Sequence, residues 1–441
     1  MQFYNRLNRR GFWAKLILLA IYIGMTIVIM KVLAARNIVV VSGYDQTIAD
    51  ALTTDGTFPS SIHYPPGMGV ILFVLTRVFS LPVISYRIFK ACMLALGLMA
   101  LVTITEEVTK KPILSVIVGA FAIFNPYFLW VGLSARDFAV SFGLMASSLL
   151  LLILARRTDK PVQYSSILVI GATFLAILGT LVRLTNLFIF FAWLIVLLFL
   201  SRENRRPFFV GGLIFIIFLG GYLFRNYRLT GRFSLSSETY PFVQGNHPAY
   251  LYCHPKFDVD GCLENEIADY LNANFPGADE LEKSIVLRDL AVEYIVSDPL
   301  SFIHRAIVKT IWHWFNLEKI PNYTAEVEWN SESNTLVVHD DIQIGYGLVY
   351  AIYKLAYLPV FIMTLIYMIW KRKTEWLPFI MPYVVLWPAV VLTFPDTRYK
   401  MTAETLALLP MALFLIEIAE LHKKTRRSDI PQPEEMKEKI T

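Results

Sequence analysis

The sequence predicts an all-α polytopic membrane protein with about ten transmembrane helices. Two observations carry that expectation. The 441 residues are 56% hydrophobic and only 17% charged, with a mean hydropathy of +0.53, whereas soluble domains hold roughly 25% charged residues. Apolar runs of about 20 residues, long enough to cross a bilayer, also recur along the chain. Basic clusters mark alternate junctions between them, as expected where lysine and arginine stay on the cytoplasmic side. The same composition excludes a disordered chain, a collagen-like fibre and a nucleic-acid-binding arm. The net charge of +5 implies no polyanionic partner. Three cysteines are too few for a disulfide framework. Cys253 and Cys262 share one polar loop and are either a disulfide in an oxidising compartment or two free thiols.

The first run, 12–32, follows Arg6, Arg9, Arg10 and Lys15, which puts the N-terminus in the cytoplasm. Its length, and the lack of a small-residue cleavage site after it, argue against a signal peptide. Residues 34–83 then form a first outer loop. The apolar stretch after Pro65-Pro66 is short, contains Arg77 and ends at Pro82. Sidedness further along is preserved only if this stretch is an interfacial helix on the outer surface. The remaining spans fall at 84–105, 113–131, 138–155, 164–181, 185–200, 208–224, 345–370, 375–393 and 401–420. The junctions assigned to the inside carry Lys110-Lys111, Arg156-Arg157, Arg205-Arg206, Lys371-Arg372-Lys373 and Lys423-Lys424.

A large outer loop, 226–340, has its own helical signals. Apolar residues recur at helical spacing over 284–297, and Asp298-Pro299 reads as an N-cap with proline at the first helical position. The helix this opens ends in Trp312-His313-Trp314-Phe315, an aromatic cluster suited to a membrane interface. Residues 1–420 thus read as one transmembrane module. Residues 421–441 are charged, contain proline and are expected to form a disordered cytoplasmic tail.

The outer face gathers the residues able to do chemistry. They are Asp45, Asp50 and Asp55, His63-Tyr64, Arg136-Asp137, Arg183 with Asn186, Arg225, Arg228 and Arg232, and Arg398 with Lys400. Carboxylates beside several arginines suit a reaction with an anionic leaving group. The acid takes a proton from an attacking hydroxyl, and guanidinium groups hold a phosphate. Each residue also has a plainer reading. Asp45 and Asp137 would cap helices, the arginines would snorkel to lipid headgroups, and His63 would be a hydrogen-bonded loop residue. Asn322-Tyr323-Thr324 matches a glycosylation sequon, a pattern common by chance.

The order of segments is more specific than any one residue. Gly43-Tyr44-Asp45-Gln46, Asp55-Gly56-Thr57-Phe58-Pro59 and His63-Tyr64-Pro65-Pro66-Gly67 are followed by Asn125-Pro126 and Arg136-Asp137. Arg225-Asn226-Tyr227-Arg228, Gly231-Arg232-Phe233, Gly245-Asn246-His247-Pro248 and finally Arg398-Tyr399 complete the series. This series resembles the GT-C glycosyltransferases of the protein O-mannosyltransferase and aminoarabinose–lipid A transferase type. The resemblance implies a GT-C fold and an inverting transferase. Such an enzyme moves a sugar from a polyprenyl-phosphate carrier to a hydroxyl of a glycan, lipid or protein on the outer side of a membrane. It makes Asp45 the base and Asp137 the second acidic position. Arg225, Arg398, Arg183 and Tyr64 become candidates for the donor phosphate, with Asn246 and Tyr399 as further site candidates. Where the aminoarabinose group has Glu-Lys before the paired prolines, this chain has His63-Tyr64. That leaves dependence on a divalent metal open, with His63 as the candidate ligand. The expected location is a bacterial inner membrane, with the site on the periplasmic face. The competing classes are a transporter or flippase of lipid-linked sugars, which needs no paired outer acids, and a non-catalytic assembly subunit, in which Asp45 is dispensable.

Overall fold

A chain that crosses hydrocarbon must satisfy its own backbone hydrogen bonds, and helices do so within a single segment. The computed structural model follows that rule. It describes residues 2–35, 41–56, 65–156, 161–201, 205–236, 239–253, 259–315, 327–330, 335–338, 347–393 and 397–428. Helix α1 (Gln2–Ala35) leads to two short helices, α2 (Gly43–Thr54) and α3 (Gly67–Phe73), the second running into a π-turn over Val74–Val78. A bundle follows, made of α4 (Ile84–Thr109), α5 (Pro112–Phe124), α6 (Pro126–Ser134), α7 (Phe138–Ala155), α8 (Val162–Val182), α9 (Thr185–Leu200) and α10 (Arg206–Thr230). The outer segment then forms α11 (Tyr240–Asn246), α12 (Tyr250–Cys253), α13 (Val259–Asn274), α14 (Glu280–Ser297) and α15 (Pro299–Phe315). Strands β1 (Val327–Asn330) and β2 (Thr335–Val338) pair antiparallel, with Val327 opposite Val338. Helices α16 (Gly347–Lys371), α17 (Leu377–Leu392) and α18 (Thr397–Ser428) close the chain.

Among the described residues, eight helices are long and apolar enough to cross a membrane: α1, α4, α7, α8, α10, α16, α17 and α18. Over the described residues all ten expected spans fall on helices, but two differ from the expected form. The run at 113–131 is not one straight helix. It bends by 60° between α5 and α6. Asn125 leaves the helical conformation with ψ of 115°, and Pro126, lacking an N–H, cannot continue the ladder of α5. The run at 185–200 forms a helix of only 16 residues, short for a full crossing. The expected interfacial stretch is α3 with its π-turn. Met68 and Leu72 are buried on one side, in a cluster that also holds Ala49, Tyr86 and Val182.

The core runs through the bundle, with Phe128, Phe138 and Phe142 at its centre; Phe138 and Phe142 stack at 5.8 Å. The outside carries exposed apolar side chains such as Ile167, Phe174, Phe199, Phe209, Ile217 and Ile369, a belt that needs lipid rather than water. Helices α4 and α7 approach closely at Gly143. A Cβ there would lie 2.3 Å from the Met93 carbonyl oxygen.

The outer segment has a separate small core around Val243, Tyr250, Leu263, Ile267 and Leu287. Cys253 and Cys262 form a disulfide within it, which decides between the two states open from sequence. The Asp298 carboxylate accepts from the Ser301 N–H at 3.0 Å, the expected cap.

At the opposite end of the bundle, ion pairs tie helices together. Lys15 meets Glu106, Lys111 meets Glu420 at 3.0 Å and Lys373 meets Glu417 at 2.8 Å. Helix α18 continues to Ser428, past the expected start of a disordered tail at 421. No proline or glycine interrupts 421–428, and extending a formed helix carries no nucleation cost. Residues 429–441 lie outside the described residues.

Because backbone lies in the way at Gly143, Gly143→Ala is expected to destabilise the bundle by about 1–3 kcal/mol through overpacking. Thermal unfolding in detergent reads this as a lowered Tm, and an unchanged Tm contradicts the close approach.

Candidate functional site

Helix α2 starts at Ser42, whose hydroxyl oxygen accepts from the Asp45 N–H at 3.2 Å. Ser42 is therefore the cap, and Asp45 does not cap this helix, which corrects the plainer reading of that residue. With Ile48 and Ala49 buried on the same helix, the Asp45 side chain is carried inward and is fully buried. A buried carboxylate needs a partner, and the turn between α6 and α7 supplies one. Arg136 Nε lies 2.9 Å from Asp45 Oδ1 and 3.1 Å from Oδ2, and its Nη2 lies 2.6 Å from Oδ1. The Tyr86 hydroxyl donates to Oδ2 at 3.4 Å. The guanidinium also sits 5.5 Å from the centre of the Tyr44 ring, a cation–π distance. Burial opposes the charge on Arg136, but the hydrogen bonds and charge of Asp45 outweigh it and raise its pKa above the ordinary arginine value.

Asp137 occupies the cap position of α7 but makes no capping bond through its side chain. It faces Arg183 instead, with Arg183 Nε 3.5 Å from Oδ2. Arg183 ends α8 and is buried, so it does not snorkel to a headgroup. Beneath both acids, Lys90 is fully buried in α4. It donates to the Leu133 and Ala135 carbonyls at 3.1 and 2.5 Å. These carbonyls close the C-terminal end of α6, where a cation is favoured. Lys90 and Tyr86 each lie within electrostatic reach of both Asp45 and Asp137. Asn186 ties the neighbouring helix ends, donating to the Gly179 carbonyl and bonding the Ser141 hydroxyl, both at 2.8 Å.

The other sequence candidates have different settings. Arg225 Nη1 donates to Asn226 Oδ1 at 2.9 Å, and Asn226 donates to the Ser234 carbonyl at 2.7 Å, bracing the turn after α10. Asn246 has a bracing geometry. Its amide donates to the Phe242 and Leu392 carbonyls at 2.8 and 2.7 Å, docking α11 on the end of α17. Gly245 permits that contact, since a Cβ there would lie 1.8 Å from the Thr393 oxygen. His63 and Tyr64 lie outside the described residues, and Arg398 and Tyr399 are in the first turn of α18 with side chains outside them. Among the described residues, no three His, Cys, Asp or Glu side chains form a metal-ligand set.

The structure thus joins Asp45, Arg136, Asp137 and Arg183, all read from the sequence as outer-face residues, with two that were not: Tyr86 and Lys90. A second buried polar node is Lys354 with Glu404 at 2.5 Å, where Asn125 also donates to the Glu404 carboxylate at 3.3 Å. Lys90, Lys354 and Glu404 had a signal in the sequence, a charge inside an apolar run. The arrangement can hold one carboxylate rigidly, keep a second in a looser ion pair, and present guanidinium groups to an anion.

No family model and no curated protein matches the chain. Two solved structures resemble the chain. One is ArnT from Cupriavidus metallidurans in the apo state, at 12% identity and a TM-score of 0.39, covering 89% of this chain and 76% of that one. The other is the archaeal oligosaccharyltransferase AglB from Archaeoglobus fulgidus in complex with an inhibitory peptide and a dolichol-phosphate. It is 11% identical with a TM-score of 0.43, and 88% of this chain covers 48% of that one. The chain therefore spans about half the length of AglB.

Lys90→Met removes two charge-assisted bonds to the segment that carries Arg136 and Asp137. It is expected to cost about 2–3 kcal/mol of stability. Thermal unfolding in detergent measures this, and a wild-type Tm would remove Lys90 from the account.

Proposed function

We propose that the protein is a membrane glycosyltransferase of the GT-C type. It transfers a sugar, with inversion, from a polyprenyl-phosphate carrier to an acceptor hydroxyl on the extracytoplasmic side. The observation that carries this reading is the buried Asp45 carboxylate held by the Arg136 fork, adjoining the Asp137–Arg183 pair. Both pairs lie at the bundle end opposite the lysine- and arginine-rich junctions, which supports an outward-facing site. The Cys253–Cys262 disulfide in the outer segment supports an oxidising compartment on that side. A bacterial inner membrane, with the site facing the periplasm, fits both.

The donor's isoprenoid tail stays in lipid, so its phosphate sits at the bilayer surface, and the reaction is drawn there. Asp45 takes the proton of the acceptor hydroxyl as the acceptor oxygen bonds to the anomeric carbon. The bond from that carbon to the phosphate oxygen breaks on the opposite face, and the carrier departs as its phosphate with the bonding pair. Arg136 orients the carboxylate. Arg183 and Arg225, with Arg398 and Tyr64, offset the charge gathering on the leaving phosphate. Asp137 positions the acceptor or restrains Arg183. The acceptor is a hydroxyl of a glycan, a lipid or a protein.

Purified protein given a polyprenyl-phosphate sugar and an acceptor is expected to release free polyprenyl phosphate in step with product, which a flippase would not do. Asp45→Asn is expected to lower that turnover at least about 100-fold, the scale of a lost general base. Donor binding should persist and the protein should stay folded by its melting curve. Normal turnover in this variant refutes the role given to Asp45.

A further inference from the structure

Helix α15 is amphipathic in an inverted sense. Leu300, Ile303, Ile307 and Ile311 are exposed, while Arg305, Lys309 and His313 are buried. Steps of four residues put the three basic side chains on one stripe, and the isoleucines fall on the opposite side. A helix resting on a soluble core turns its apolar side inward and its charges outward. Here the apolar side faces outward, as it would against lipid, and the basic row faces the protein.

Two members of that row have partners. His313 Nε2 donates to the Tyr383 carbonyl at 2.9 Å, and burial holds its pKa down at about 3, so the ring is neutral. Lys309 Nζ donates to the Val391 carbonyl at 3.1 Å and lies 5.0 Å from the centre of the Tyr250 ring. Burial, with Arg305 nearby, brings its pKa down to about 7. Among the described residues, Arg305 has no hydrogen-bond partner. It is 3% exposed, and its Nε and Nη2 are shut off from solvent without an acceptor. Asp298 attracts it through space, and its Oδ1 accepts from the Ser301 N–H. The terminal carbonyls of α17 are taken by Lys309 and Asn246. A guanidinium keeps its charge in a protein and offers five donors in a fixed fork. A buried donor left unfilled carries a desolvation penalty that an oxyanion removes.

We propose that Arg305, with Lys309 one turn along, forms a binding subsite for the phosphate ester of a membrane amphiphile. The outward apolar side of the same helix sets this subsite at the bilayer boundary, where such phosphates reside. The phosphate accepts two N–H bonds from the guanidinium edge, and its charge keeps the Lys309 ammonium protonated. The chemistry is shared by a polyprenyl phosphate and an ordinary anionic phospholipid, and it does not depend on sugar transfer at Asp45.

The test measures binding to the full-length protein in a non-ionic detergent, using native mass spectrometry and thermal shift. The probes are a short-chain polyprenyl phosphate, phosphatidylglycerol and inorganic phosphate. At least one of the two amphiphiles is expected to bind and to raise the Tm. Arg305→Gln should weaken that binding at least about tenfold and abolish the thermal shift, with Arg305→Lys intermediate, as loss of a bidentate contact requires. Without ligand, Arg305→Gln should melt no lower than wild type, because it removes an unpaired buried charge. Preference for the polyprenyl phosphate assigns the subsite to the carrier, and equal binding of both amphiphiles assigns it to bilayer phospholipid. Wild-type affinity in Arg305→Gln, binding of inorganic phosphate alone, or a lowered ligand-free Tm in Arg305→Gln would overturn the proposal.

Discussion

A carboxylate with no solvent contact cannot stay charged unless donors surround it. The pairing of Asp45 with Arg136 answers that constraint, and the outward end of the bundle is organised around it. Asp45 belongs to a short helix in the first loop, and Arg136 to a turn 91 residues later. Their forked contact fixes the loop helix against the bundle. Ser42 releases Asp45 from capping duty. Lys90 donates to the end of the helix leading to Arg136, and the Tyr86 hydroxyl adds a hydrogen bond to Asp45 Oδ2. Because Asp137 follows Arg136 directly, the same turn delivers the second acid to Arg183. Two loops and the ends of several helices thus share one electrostatic unit, the preorganisation that stabilising a developing charge requires.

The outer segment is attached by a different device. Lys309, Asn246 and Lys400 each donate to backbone carbonyls near helix ends: Val391 and Leu392 at the end of α17, and Trp312 at the end of α15. Helix C-termini carry unsatisfied carbonyls and partial negative charge, so buried amides and ammonium groups there satisfy two needs at once. The disulfide and a small apolar core join α11–α14 to one another.

The spans were legible because a bilayer imposes a length and a composition that any 20-residue window reveals. The loop helices were legible from caps and prolines, as at Asp298-Pro299. The bend at Asn125-Pro126 was written in the residues but masked by unbroken hydropathy, which averages over a proline. The candidate site was half legible. Asp45, Asp137 and Arg183 stood out as charges at the outer ends of spans. Their pairing did not, because contacts across 91 and 46 residues leave no periodic trace in one sequence. Lys90 and Glu404 carried a signal, a charge inside an apolar run, which window-averaged hydropathy levels out. Arg305 reads on paper as an ordinary polar position of an amphipathic helix, and only packing reveals that its face turns inward.

The account rests on the energetic coupling of Asp45 to Arg136, and a double-mutant cycle measures it most directly. Asp45→Asn, Arg136→Gln and the double variant would be compared with wild type by reversible unfolding in mixed micelles. The account predicts that the two changes are strongly non-additive, with a coupling energy of about 2–3 kcal/mol, since either alone strands a buried charge. Effects that add to within about 0.5 kcal/mol would mean that the two residues do not form the pair on which the site is built.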